Sequence, residues 1–219
     1  KKGDRCLLIS ENRPEWMISD LSIMLAGGIT VPAYTTYLSR DYEYIINDCS
    51  PSVIIVSNDE QFTKIRSICE RYHSIKKIFS FDKLKNFEND KYNNFRNLIE
   101  KSFNYDEIKI ENKAQRSDPA CIIYTSGTQG NPKGVILSHG GILSNCEGGY
   151  ELLKPILDKE TRFLTWLPLS HSYEHAVQFI QIAVGAKVFY AESIDKLIKN
   201  MAECSPHIMT AVPRFYQNL

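Results

Sequence analysis

The residues best equipped for chemistry lie in one string, Tyr124-Thr125-Ser126-Gly127-Thr128-Gln129-Gly130-Asn131-Pro132-Lys133-Gly134-Val135. Between the apolar runs Ala120–Tyr124 and Val135–Leu137 stand three glycines, three aliphatic hydroxyls and a lysine. Glycine lets a backbone bend tightly and come close to a ligand. Successive N–H groups in such a bend form a concavity that attracts anions. The hydroxyls of Thr125, Ser126 and Thr128 can donate to phosphate oxygens, and Lys133 adds a compact positive charge. This is the chemistry of a phosphate loop. The spacing excludes two common nucleotide motifs. A kinase-type P-loop needs a second glycine five residues after the first, then Lys and Ser/Thr. Here Pro132 stands at that place and Gly134 follows Lys133, and no G-x-G-x-x-G occurs. By residue type alone, an ordinary glycine-rich hairpin or linker remains the alternative.

A second group is Leu167-Pro168-Leu169-Ser170-His171-Ser172-Tyr173-Glu174-His175, between an expected strand and an expected helix. Catalytic groups of open α/β sheets favour the carboxyl ends of strands. His171 and His175 are four apart, which puts them on one helical face. The H-E-x-x-H zinc pattern is not met, because Glu174 directly precedes His175 and no third ligand is near. For Trp166 the plain reading is core packing. For Glu174 and His175 it is a pair on a helix surface.

Taken whole, the twelve-residue string resembles the signature loop of the adenylate-forming (AMP-binding) superfamily: acyl-CoA synthetases, luciferases and the adenylation domains of peptide synthetases. The run Pro168–Glu174 is similar to the Pro-Leu-x-His-x-x-Glu segment of long-chain acyl-CoA synthetases. Ser10–Trp16 and Ala211–Arg214 also look like synthetase segments, serving folding and the pocket floor. The resemblance covers nearly the whole chain and is weakest over 82–116. It implies a fatty acid–CoA ligase that uses ATP, Mg²⁺ and CoA on a long-chain fatty acid. By position, Thr125, Ser126, Gly127, Thr128, Gln129, Gly130 and Lys133 contact the β- and γ-phosphates, with Thr128 near the Mg²⁺. His171 stands near the acyl-adenylate, and His175 and Trp166 are weaker candidates for lining the acyl or CoA passage. Family members run to more than twice this length. The motifs that hold adenine and ribose, and the C-terminal lid with its catalytic lysine, are not in these 219 residues. The expectation is therefore an incomplete N-terminal adenylation domain without ligase activity of its own. The alternatives are an adenylate-forming ligase for another carboxylic acid and a non-catalytic nucleotide- or acyl-binding module.

Composition agrees with a globular core and narrows the partners. The 219 residues are 43% hydrophobic, with 26 basic and 26 acidic side chains. No global basic field is available to recruit nucleic acid. No apolar stretch approaches the roughly 20 residues that span a bilayer, so an integral membrane segment is not expected, while the resemblance leaves peripheral contact at the inner face of a membrane open. Six scattered cysteines without a CxxC or Cys/His cluster read as reduced thiols of a cytoplasmic protein.

The elements that must position these groups alternate. Strands are expected at Cys6–Ser10, Ile29–Pro32, Val53–Val56 and Lys77–Phe81. Between them run helical stripes: Met17, Leu21, Met24 and Leu25 after a cap at Asn12; Tyr42, Ile45, Ile46 and Cys49 after a cap at Ser39; Phe62, Ile65, Cys69 and Tyr72. Residues 82–116 read as a polar connector between lobes at about 1–81 and 117–219, with one helix over Tyr92–Phe103 that turns Phe95, Leu98 and Ile99 inward. Past the loop, one helix is expected with Ile142, Cys146 and Leu153 on one side, a second with Val177, Ile180 and Val184 inward, and a third marked by Ile194, Leu197, Ile198 and Met201. Strands are expected at Arg162–Leu169, Lys187–Tyr190 and Ile208–Val212, and a last helix begins after Pro213. Such alternation implies βαβ units, hence an α/β fold of layered, mostly parallel sheets flanked by helices.

Overall fold

The computed structural model describes residues 1–85, 91–100, 114–125, 132–158 and 160–217, with only the backbone of Arg214. They form two compact units: Lys1–Glu11 with Glu15–His139, and Asn12–Pro14 with Gly140–Leu219.

The first unit is a seven-stranded sheet, all parallel but for one edge. Its elements are β1 (Arg5–Ile9), α1 (Pro14–Leu25), β2 (Ile29–Ala33), α2 (Ser39–Cys49), β3 (Val53–Val56), α3 (Asp59–Arg71), β4 (Lys77–Ser80), β5 (Tyr92–Asn94), α4 (Phe95–Glu100), β6 (Pro119–Thr125) and β7 (Lys133–Ser138). The strand order is β5-β4-β3-β1-β2-β6-β7. β1 is central because its run Cys-Leu-Leu-Ile is buried on both faces, as a parallel strand covered by helices requires. The chain moves from β1 to β2 on one side, then crosses to β3 on the other, the reversal of a doubly wound sheet. One face of the sheet packs Leu7, Ile9, Val31, Ile54 and Val56 against Tyr42, Ile45 and Ile46 of α2 and Phe62, Ile65 and Ile68 of α3.

The helices follow their stripes with instructive exceptions. α2 and α3 bury the expected Tyr42, Ile45, Ile46, Cys49, Phe62, Ile65 and Cys69. Ser39 is the first helical residue of α2 rather than its cap; Asp41 closes the first turn by accepting the Leu38 N–H at 2.9 Å. In α1 the buried face holds Trp16, Met17, Asp20 and Met24, while Leu25 is 51% exposed. Gly27, at φ +75°, ends α1 in the left-handed conformation.

The segment read as a connector is partly built into this sheet. Tyr92–Asn94 is a strand, not the start of a helix, because it finds an open edge at β4 and pairs with it in parallel. The helix is the six-residue α4, whose Phe95 packs edge-to-face on Phe81 at 4.9 Å, while Ile99 is 64% exposed. Residues 101–103 lie outside the described residues. β6 and β7, expected with the second lobe, belong to the first unit, since β6 pairs in parallel with β2.

The second unit holds α5 (His139–Leu153, Gly140 onward), β8 (Arg162–Thr165), α6 (Ser172–Ala183), β9 (Lys187–Tyr190), α7 (Leu197–Cys204), β10 (Ile208–Met209) and α8 (Pro213–Gln217). Its sheet is parallel, in the order β10-β8-β9. α5 turns Ile142, Cys146 and Leu153 to its more covered side, as expected. α6 does not bury Val177, Ile180 and Val184. Its buried side chains are Glu174, His175, Gln178, Phe179 and Gln181. In α7, Leu197 is buried with Asn200, whereas Ile198 is exposed; Ile194, expected in this helix, precedes it and is exposed too. Among the described residues no helix is long and apolar enough to cross a membrane.

The central strand sets a stability test. Leu7 is fully buried in β1 and Leu152 is exposed on α5. Leu7→Ala is expected to cost about 2–5 kcal/mol through lost burial and a cavity. Leu152→Ala should stay within about 0.5 kcal/mol. Urea midpoints of both variants measure the contrast; equal shifts would contradict this core.

Candidate functional site

The phosphate-loop string bridges two paired strands. Thr125 ends β6 and Lys133 begins β7, and the two stand opposite each other in an antiparallel ladder. Opposed residues project to the same face, so the Thr125 hydroxyl and the Lys133 ammonium flank the mouth of the hairpin, both exposed. Ser126, Gly127, Thr128, Gln129 and Gly130 lie outside the described residues, as does Asn131.

The neck below that mouth is held on its other face. Tyr124 is opposite Gly134. A Cβ on Gly134 would stand 2.9 Å from Ile122 Cγ2 and 3.2 Å from Tyr124 Cζ, so only glycine leaves room for the tyrosine ring. The Tyr124 hydroxyl donates to Asp48 Oδ2 at 2.5 Å. Burial first, and then this bond, pushes the phenol's pKa up and keeps it the donor. Asp48 sits in the last turn of α2, where the helix dipole disfavours an anion. Arg5 answers the same helix end, donating to the carbonyls of Cys49 at 2.7 Å and Ser50 at 3.1 Å. An open cleft of about 350 Å³ lies beneath the neck, lined by Arg5, Asp48, Ser50, Ile122, Tyr124 and Gly134. Asp48 and Arg5 escaped the motif reading. The one sequence signal was an acid placed against the dipole of an expected helix.

In the second unit the strand-to-helix turn carries His171. The His171 N–H donates to the Pro168 carbonyl at 2.9 Å, closing a tight turn. The His171 ring then caps α6, its Nδ1 accepting the Tyr173 N–H at 3.2 Å. Its side chain is exposed. His175 and Glu174 are not a surface pair. They are 2% and 0% exposed, and the His175 ring packs on Phe179 at 5.0 Å. Trp166 is half-buried, donating Nε1–H to the Thr210 carbonyl at 2.6 Å and packing on Phe215 at 5.2 Å. His171, Glu174 and His175 thus point into three different settings.

Glu174 anchors a polar interior. The Thr210 hydroxyl donates to its Oε2 at 2.6 Å. Its Oε1 is buried near Thr165 without a hydrogen bond of ordinary geometry. Beside it, Gln178 donates to Gln181, Gln181 donates to Thr165, and the Tyr190 hydroxyl donates to Gln178. Desolvation pushes the Glu174 carboxyl up to about 7, against the opposing pull of the Thr210 bond. The rise follows from the cost of burying an unpaired charge.

The chain is similar to known proteins over its full length. The sequence model of AMP-binding enzymes matches residues 1–219. Fatty acyl-CoA synthetase A of Dictyostelium discoideum is 31% identical over 225 residues, covering 100% of this chain and 33% of that protein. Long chain acyl-CoA synthetase 3 of Arabidopsis thaliana is 30% identical over 230 residues, covering 100% of this chain and 34% of that protein. ATP-bound MatB from Rhodopseudomonas palustris has a similar fold, with TM-score 0.79 at 23% identity over 100% of this chain and 41% of that one. The chain spans about a third of the length of these two curated relatives.

Glu174 makes stability depend on pH in a stated direction. Its folded pKa, about 7, lies above its ordinary 4.5, so the folded state binds the extra proton. The contribution is full below about 4.5 and is lost as pH rises through about 7. The loss is on the order of 3 kcal/mol. Glu174→Gln keeps an acceptor for Thr210 and removes the titration. The stability difference between the two proteins, from urea melts at pH 5 and pH 8, should shift toward the Gln variant at pH 8. A difference that does not change with pH would refute a buried, titrating Glu174.

Proposed function

Because the chain belongs to the AMP-binding enzyme family, we propose that the protein carrying it joins a long-chain fatty acid to coenzyme A at the expense of ATP. A carboxylate oxygen attacks the α-phosphorus of ATP, and pyrophosphate leaves from an acyl-adenylate. The CoA thiol, giving up its proton, attacks the acyl carbon, and AMP leaves from the thioester. The observation that carries this reading is the twelve-residue phosphate string across the β6–β7 hairpin, in a chain that aligns end to end with fatty acyl-CoA synthetases. The likeness to an ATP-bound enzyme supports the nucleotide.

Each named group then has a task. Lys133 and the hydroxyl of Thr125, at the two ends of the loop, meet the leaving pyrophosphate from opposite strands. Ser126, Gly127, Thr128, Gln129 and Gly130, outside the described residues, are assigned to the β- and γ-phosphates by their place in the string. Pre-aimed donors of this kind stabilise charge as it develops, without reorganisation at the moment of reaction. Thr128, outside the described residues, would stand near a Mg²⁺ bound with the nucleotide, whose chemistry would be to neutralise phosphate charge. The Tyr124–Asp48 bond keeps the neck of the hairpin in register. The exposed His171 ring faces the acyl carboxylate, and the half-buried Trp166 belongs to the wall of the acyl or CoA passage, whereas His175, 2% exposed and packed on Phe179, is a core residue and lines no passage.

The test uses the protein at its natural length, with acids of varied chain length, ATP and CoA. AMP and acyl-CoA should form in equal amounts, fastest with long-chain acids. Lys133→Ala should lower kcat/KM for ATP by roughly a hundredfold. AMP formation only with aryl or amino acids would replace the fatty acid in this reading, and no AMP with any acid would overturn it.

A further inference from the structure

The turn that presents His171 is held by one side chain from the far end of the sequence. Asn12 Nδ2 donates to the Leu167 carbonyl at 2.7 Å, and the Leu169 N–H donates to Asn12 Oδ1 at 3.0 Å. The amide offers the backbone one donor and one acceptor, as a neighbouring strand would. The clamp straddles Pro168, which has no N–H of its own. Leu169 and Ser170 are buried just beyond it. The chain then closes its tight turn from the His171 N–H to the Pro168 carbonyl. Asn12 therefore holds the backbone on either side of Pro168, the residue from which that turn starts.

The ring of His171 inherits this placement. Its Nδ1 accepts the Tyr173 N–H, so it carries no proton in the capping state. The neutral imidazole then keeps its proton on Nε2, the nitrogen left to face outward from an exposed side chain. A shift of the Pro168–His171 turn would move the cap, and with it the direction of Nε2–H. Asn12 was expected to cap α1. Its amide instead bonds at both ends to backbone 155 and 157 residues away.

The geometry points to Asn12 as a positioning residue that aims the His171 Nε2–H at the substrate carboxyl group through the Leu167–His171 turn. This rests on the fatty-acid-activating function proposed above. Asn12 touches no reacting atom. Its removal misdirects a donor rather than deleting one. Misplacement of a catalytic group by about 1 Å costs on the order of a hundredfold in rate.

The experiment is a double-mutant cycle in the protein at its natural length, with fatty acid, ATP and CoA. Asn12→Ala should lower kcat/KM for the acid by roughly tenfold or more, with KM for ATP held within about twofold. In a His171→Ala background the same substitution should change kcat/KM by less than about twofold, because residues acting through one another are not additive. Asn12→Asp is the second variant. It keeps the acceptor for Leu169 and the shape of the side chain, but sets an anion against the Leu167 carbonyl. It should show the same selective loss while remaining folded at the assay temperature. Equal losses in both backgrounds, a parallel rise in KM for ATP, or wild-type kinetics in Asn12→Asp would overturn the role. A wild-type protein that forms no AMP with any acid removes the proposed function itself, and this inference with it.

Discussion

The pairing of β6 on both of its edges is the constraint on which the candidate site depends. On one side β6 runs parallel to β2; on the other it runs antiparallel to β7. Its Ala120, Cys121, Ile123 and Tyr124 are buried, so it cannot slip by a residue without turning its apolar set outward. The change from parallel to antiparallel pairing is what allows a short loop. Parallel neighbours need a long crossover, whereas antiparallel ones can be joined by a few residues. The phosphate string runs between these two antiparallel strands. The five strands on the other side of β6 form the rigid plate from which it extends.

The neck shows how side chains refine what pairing begins. Gly134 leaves space that Tyr124 fills, and Tyr124 reaches the last turn of α2 through Asp48. An acid at that helix end is unfavourable by itself. Arg5 places a cation on the same terminal carbonyls, and the phenol donates to the acid. A locally unfavourable residue is thus kept by partners on β1 and β6.

The second unit solves a different problem. The inner face of α6 is largely polar: Glu174, Gln178 and Gln181 lie where an amphipathic helix would place aliphatics. Buried polar groups are tolerable only when bonded. Here Thr165, Tyr190 and Thr210 supply the bonds from β8, β9 and the end of β10. Thr210 is gripped twice, its hydroxyl by Glu174 and its carbonyl by Trp166. Such a network specifies one arrangement more sharply than interchangeable aliphatics, because each donor has one fitting acceptor.

The sequence by itself determined the class of the fold, the strands from β1 to β4, the buried stripes of α2 and α3, and the string that identifies the family. Those features are short-range. Periods of two and 3.6 residues, and motifs of a dozen, are complete within one stretch of chain. The tertiary structure decided what distant residues share. It made Tyr92–Asn94 a strand by offering the free edge of β4. It buried Glu174 and His175, which periodicity had left on a surface, because Thr210 lies 36 residues away in sequence and no local pattern announces it. It took Asn12 from its expected cap to the backbone of Leu167 and Leu169, and it joined Tyr124 to Asp48. A hydrogen bond needs one donor and one acceptor about 3 Å apart, and only the folded chain brings residues 76 or 155 positions apart to that distance.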